Sequence, residues 1–149
     1  MRNRFLMCLL TGALASACSS STGPSAGTVG NWHVTVSNIV AGNGSDTFAI
    51  RPSPFTLAIS ESASVWRATY PTLYGIATNG DTVYQYSSAA AGSSFTVSGD
   101  SIKLVVDNGT EQCLLHVEGS VGATSASGAA ALTGLCGPTT SGSWSASKF

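Results

Sequence analysis

The chain reads as an all-β domain, an antiparallel up-and-down meander of about eight short strands closed into a small barrel, with a two-sheet β-sandwich as the alternative. Three observations predict this. From Val29 onward apolar and polar residues alternate, the period-2 signal of half-buried strands. Turn-forming sequences recur between the alternating runs, among them Asn79-Gly80, Gly99-Asp100 and Asn108-Gly109. No helical period competes: the Ala-rich stretch 126–131 is interleaved with Ser and Gly and reads as strand. A meander of this length carries two open edges, and closing the sheet on itself removes both.

Taken in order, the first strand presents Trp32, Val34 and Val36 on one face and His33, Thr35 and Ser37 on the other. A loop, Gly42-Asn43-Gly44-Ser45-Asp46, follows. Pro52 and Pro54 then interrupt the apolar run from Phe48 to Arg51, which reads as an edge strand or a bent strand entry. Phe55, Leu57 and Ile59 resume the alternation and Glu61-Ser62 turns the chain. The run from Ala63 to Tyr70 places Trp66, Ala68 and Tyr70 opposite Val65, Arg67 and Thr69, and Pro71 stops or bends it. Leu73 to Ala77 and Val83 to Tyr86 form a hairpin about Asn79-Gly80. A small, flexible stretch, 87–94, leads to a short strand at Phe95-Thr96-Val97. Ile102, Leu104 and Val106 face away from Lys103 and Val105, and Cys113, Leu115 and Val117 away from Leu114, His116 and Glu118. Residues 129–135 and 142–148 supply the last two strands.

The N-terminus is an address. Arg2 and Arg4 precede an apolar stretch, 5–15, of signal-peptide length, too short to span a bilayer as a helix. Ala15-Ser16-Ala17-Cys18 resembles the lipobox of bacterial lipoproteins, which implies a signal peptide over 1–17 and a palmitate-type lipid on Cys18. Cleavage after Ala17 without lipidation would release the domain to the periplasm or medium instead. Ser19 resembles the sorting pattern of outer-membrane lipoproteins. Residues 18–28 are rich in Ser and Gly and read as a flexible tether, leaving 29–149 as a single barrel domain.

Export also decides the cysteines and the charge. Cys8 leaves with the signal and Cys18 takes the lipid, so Cys113 and Cys136 remain to form a disulfide. No Cys or His sits at metal-ligand spacing beside either of them. With Arg2 and Arg4 gone, Arg51, Arg67, Lys103 and Lys148 stand against 7 acidic residues, a net charge of −3. Nothing in that balance attracts nucleic acid or an anionic membrane surface, and attachment to the membrane rests on the lipid.

Two Gly-x-Trp units bracket the meander, Gly30-Asn31-Trp32 and Gly142-Ser143-Trp144. This frame resembles the calycin superfamily, the lipocalin and avidin type of barrel, and small outer-membrane lipoproteins of bacteria. In calycins the first Trp packs across one barrel end, and in lipocalins a late arginine covers it; here Lys148 is the late cation. The resemblance implies that the first and last strands pair and that Trp32 and Trp144 meet to close the barrel.

Catalytic chemistry has no visible apparatus. The nucleophile-elbow pattern, phosphate loops, dinucleotide fingerprints and calcium loops are all missing, and no cofactor is implied. His33 and His116 lie opposite apolar stripes and read as outward polar residues. Asp46, Asp81, Asp100, Asp107 and Glu111 sit at turns, where carboxylates cap the backbone. The residues suited to ligand contact are the aromatics Trp66, Tyr70, Tyr74, Tyr84 and Tyr86, whose rings offer large amphipathic surfaces. The reading is therefore a non-enzymatic binding barrel of the cell envelope, taking a small apolar ligand. The alternative is a protein-interaction module, such as an inhibitor of a periplasmic protease or lysozyme.

Overall fold

The computed structural model describes residues 27–41, 47–77, 83–90, 92–109, 113–134 and 140–149. The signal region, Cys18, Cys136, the carboxylates Asp46, Asp81 and Glu111, and the Asn79-Gly80 turn lie outside the described residues. Within them the fold is all-β. In chain order the strands are β1 (Gly30–Val36), β2 (Ile39–Ala41), β3 (Thr47–Arg51), β4 (Phe55–Ser62), β5 (Val65–Thr69) and β6 (Leu73–Ala77), followed by β7 (Val83–Tyr86), β8 (Ser94–Ser98), β9 (Ser101–Asp107), β10 (Cys113–Val121), β11 (Ser125–Gly134) and β12 (Thr140–Lys148). The stretch 126–131 is strand, as its Ser and Gly punctuation suggests.

Every pairing is antiparallel. The main layer runs β5-β4-β1-β12-β11-β10-β9-β8 and curls into a half-barrel, and a second run, β7-β6-β3-β2, joins it through the start of β12. The first and last strands do pair, with Trp32 opposite Lys148 and Val36 opposite Trp144. What links the two runs is bending of long strands. β1 passes into β2 along β12, but Val36 faces Trp144 while Val40 faces Ser141, so three residues oppose two across the junction. That is a β-bulge. It is stapled by Ser37, whose N–H donates to the Ser143 carbonyl at 2.8 Å while its Oγ accepts the Ser143 N–H at 2.9 Å. Gly142 makes the bend fit, since a Cβ there would stand 3.1 Å from the Ile39 side chain and 3.3 Å from the Asn38 carbonyl.

The other bends occur at proline. Pro52 and Pro54, both preceded by cis bonds, separate β3 from β4, and Pro71 separates β5 from β6. Because the prolines occupy the bend, β3 keeps its N–H groups and is an interior strand between β2 and β6. Of the two expectations for 48–51, the edge strand is corrected and the bend at the prolines stands.

The predicted inward stripes are buried. Trp32, Val34, Val36, Phe55, Leu57, Ile59, Leu104, Leu115, Val117, Trp144 and Ala146 all lie in one core, while Ser143, Ser145 and Ser147 face solvent. Two end arrangements differ from expectation. Trp32 and Trp144 do not meet: both point inward, but they are four residues out of register. Trp144 instead reaches over Gly128, its neighbour on β11, and donates its indole N–H to the Glu118 carbonyl on β10 at 2.9 Å. Trp32 closes the other end, donating to the Thr28 carbonyl at 3.0 Å beneath Lys148, whose Nζ sits 5.6 Å from the ring centroid. Lys148 also donates to the Gly27 carbonyl at 2.7 Å, and Thr28 is fully buried. Gly27 and Thr28 therefore pack against this end of the barrel.

The turn between β4 and β5 is displaced from the expected Glu61-Ser62. Ser62 still pairs with Val65, and the two residues between them, Ala63 and Ser64, have φ of 50° and 63°. Both occupy the left-handed region that costs a non-glycine residue about 1–2 kcal/mol. The double substitution Ala63→Asn, Ser64→Gly matches the sequence to this two-residue hairpin and is expected to stabilise the domain by about 1 kcal/mol in urea unfolding. Neutral or destabilising behaviour would show that the turn has another conformation.

Candidate functional site

Among the described residues, β5 and β8 are the two open edges of the main layer. The curl brings them side by side, yet no backbone ladder joins them. Between them lies a cleft of about 350 Å³, lined by Trp66, Ala68 and Tyr70 from β5 and its end, by Ser93 and Phe95 at the start of β8, and by Leu104 behind. The sequence builds this locally. Alternation on β5 turns Trp66, Ala68 and Tyr70 to the inner side, and Pro71 then takes the chain away into β6. Phe95 and Val97 form the matching stripe on β8, with Phe95 in register with Leu104. Trp66, Ala68, Phe95 and Val97 are only partly buried, because each lacks a neighbouring strand on the seam side.

The polar side of the cleft is equally specific. Tyr70 is 6 % exposed and its hydroxyl, though buried, completes no hydrogen bond. Burial pushes its phenol up and the neighbouring Ser93 hydroxyl pulls it part of the way back, so it is a neutral O–H donor at physiological pH. Ser93 is itself held: its Oγ accepts the Asp107 N–H at 3.0 Å. Asp107, fully buried, accepts the Gly109 N–H at 3.0 Å, and its carboxylate lies so close to Gly92 that a Cβ there would stand 2.5 Å from Oδ2. Gly92 and Ser93 are thus pinned to the end of β9. Arg67 lines the rim, and no carboxylate pairs with it among the described residues.

Of the aromatics singled out in the sequence, the structure brings together two. Trp66 and Tyr70 line the cleft. Tyr74 stands exposed on β6, Tyr84 packs at a tilt against Phe48 with ring centroids 6.1 Å apart, and Tyr86 is a core residue. Tyr86 lies beneath Gly75, whose missing Cβ would stand 3.2 Å from the ring, and its hydroxyl is 3.2 Å from Cys113 Sγ. Burial, with Tyr84 adding to it, pushes the Tyr86 phenol up. Tyr74, Tyr84 and Tyr86 lie outside the lining of this cleft. Phe95, Ser93 and Leu104 were missed, since their short strand and serine-rich approach carry no signal of what they will face.

The histidines lie on the outer surface. His33 stacks on the C-terminal Phe149 with centroids 3.9 Å apart. His116 is half-buried beside the Lys103–Glu118 ion pair of 2.6 Å. Burial first, and Lys103 second, hold its imidazole below the ordinary value, while Glu118 opposes them. The hydrogen bond from Lys103 holds the Glu118 carboxyl below its own. That pair is half exposed on both sides and contributes little to stability. Among the described residues no three of His, Cys, Asp and Glu gather as metal ligands, and no helix is long and apolar enough to cross a membrane. Chemically, the cleft offers stacking surfaces, a buried hydroxyl donor and a guanidinium at its mouth. No family model matches the chain, and no curated protein matches it.

Proposed function

We propose that the chain is a non-enzymatic binding domain of the cell envelope, lipid-anchored through Cys18, that holds a small ligand by its apolar face in the cleft between β5 and β8. The observation that carries this reading is the buried Tyr70 hydroxyl without a completed hydrogen bond, set between the partly exposed rings of Trp66 and Phe95. A polar group left so in a wall is costly unless a ligand satisfies it. The cleft lies within the usual range of about 300–1,000 Å³ for ligand sites. The barrel interior supports a site at the seam, since it is occupied by Trp32, Tyr86, Leu115 and Leu132, each under 2 % exposed. A disulfide from Cys113 to Cys136 is part of the same proposal. Cys113 is buried opposite Gly134, two residues before Cys136 in the chain.

A protein-interaction module is the second reading, favoured by the unpaired edges of β5 and β8 and by the exposed Val65 on β5. Native mass spectrometry of the protein extracted from its own cells separates the two. A retained small molecule, lost in Trp66→Ala, is the expected result; a retained protein in its place overturns it. Metabolic labelling with a fatty-acid analogue, compared between the wild type and Cys18→Ala, tests the anchor.

A further inference from the structure

We infer that the ligand of the β5/β8 cleft is a neutral saccharide, bound as one pyranose ring with its apolar face on the aromatic side chains and its hydroxyl edge on the polar wall; this rests on the cleft being the binding site. Three features carry the inference. The first is the division of the lining. Trp66 and Phe95 approach from opposite strands, while Arg67, Thr69, Ser88, Ser93 and Ser94 supply polar ends around them. A wholly apolar ligand would strip water from those groups without replacing its hydrogen bonds. A pyranose has C–H bonds clustered on a ring face, which suit an aromatic surface, and hydroxyls around its edge that both donate and accept.

The second feature is the buried donor. The Tyr70 hydroxyl is buried in the cleft lining beside Ser93 and completes no hydrogen bond, while Ser93 Oγ accepts the Asp107 N–H. The group needed there is an acceptor, which a sugar hydroxyl or ring oxygen provides. The third is charge. Behind the Gly92-Ser93 wall stands the buried Asp107 carboxylate, which opposes an anion in the inner cleft, and Arg67 at the mouth opposes a cation. Lys103, Glu118 and His116 form their own cluster on β9 and β10 and do not line the cleft. A neutral ligand is the one that both charges accept. Size permits it, since a cleft of about 350 Å³ has room for a hexose ring.

The test uses the indole N–H resonances of the ¹⁵N-labelled protein. Trp32 and Trp144 donate to internal carbonyls, so Trp66 is the reporter of the cleft. Cellobiose and N,N′-diacetylchitobiose are titrated, and the neutral apolar probe N-phenyl-1-naphthylamine is titrated separately. Movement of the Trp66 signal with a disaccharide, the other two staying fixed, and a Kd raised about 5- to 10-fold in Tyr70→Phe, is the expected result. Movement with the apolar probe alone overturns the saccharide and leaves the cleft as a binding site. If neither moves the signal, or if a sugar binds without moving it, the site reading falls as well. A Tyr70→Phe variant that binds the sugar as tightly as wild type removes the hydroxyl from recognition and overturns the inference.

Discussion

Trp144→Ala is expected to destabilise the domain by about 3–5 kcal/mol, the range for emptying an aromatic site in a packed core. The indole is 3 % exposed and spans from β12 to the Glu118 carbonyl on β10, so its loss removes a hydrogen bond and opens a void between strands. Trp32→Ala should cost a similar amount, because it uncovers the barrel end where Thr28 and Lys148 are packed. Against a typical stability of about 5–15 kcal/mol, either loss is severe. The two should nevertheless act independently. Four residues of register separate them, about 13 Å along the strands at about 3.3 Å per residue. Denaturant unfolding of Trp32→Phe, Trp144→Phe and the double variant, chosen because phenylalanine leaves enough stability to measure, should give losses that add within about 0.5 kcal/mol. A coupling above about 1 kcal/mol would mean that the rings touch, and the β1–β12 register would be wrong.

Gly128→Ala is the second large effect, expected at about 3 kcal/mol, the upper end for forcing an atom into a packed site. Gly128 and Gly119 are direct partners across β11 and β10, on the inner side beneath Trp144. A Cβ on Gly128 would overlap the Glu118 carbonyl oxygen and stand 2.5 Å from Gly119 Cα. Its neighbours are backbone, which cannot swing aside as a side chain can. The strands would have to separate, and the Trp144 hydrogen bond to Glu118 would be lost with them. Thermal unfolding should show a midpoint lower by about 10 °C, with Gly122→Ala as the control. Gly122 stands in an exposed turn where a Cβ would be 3.3 Å from its nearest neighbour, and its substitution should shift the midpoint by far less. Equal shifts for the two variants would remove the close-approach argument.

The Gly119–Gly128 pair also shows where reading from sequence stops. Alternation along Cys113–Val121 says that Gly119 faces inward, and it says the same of Gly128 within Ser125–Gly134. Nothing in either stretch says that the two are opposite one another. Register depends on the three residues, 122–124, that join the strands, and on the match of whole inner faces. The prolines teach the same point from the other side. Pro52 and Pro54 were legible as a break, but whether a break ends a sheet or bends a strand from one run to another depends on what lies on each side, and β3 has a partner on both.

The candidate site divides likewise. Trp66 and Tyr70 were legible because large aromatics on one face of a short strand have to meet something; Tyr86 carried the same signal and met the core. Arg67, Ser93 and Phe95 joined the site through tertiary placement alone, on two strands with no ladder between them.

From its amino-acid order the chain determines an all-β fold and the inward stripes of its strands. These follow from the period of two, which assigns each side chain a face wherever half the residues must leave water. Only the tertiary structure decides that the sheet opens at β5 and β8. Closure depends on how many strands lie in the curl and where the long ones bend away, and the same alternation is compatible with a ladder or a cleft at that seam.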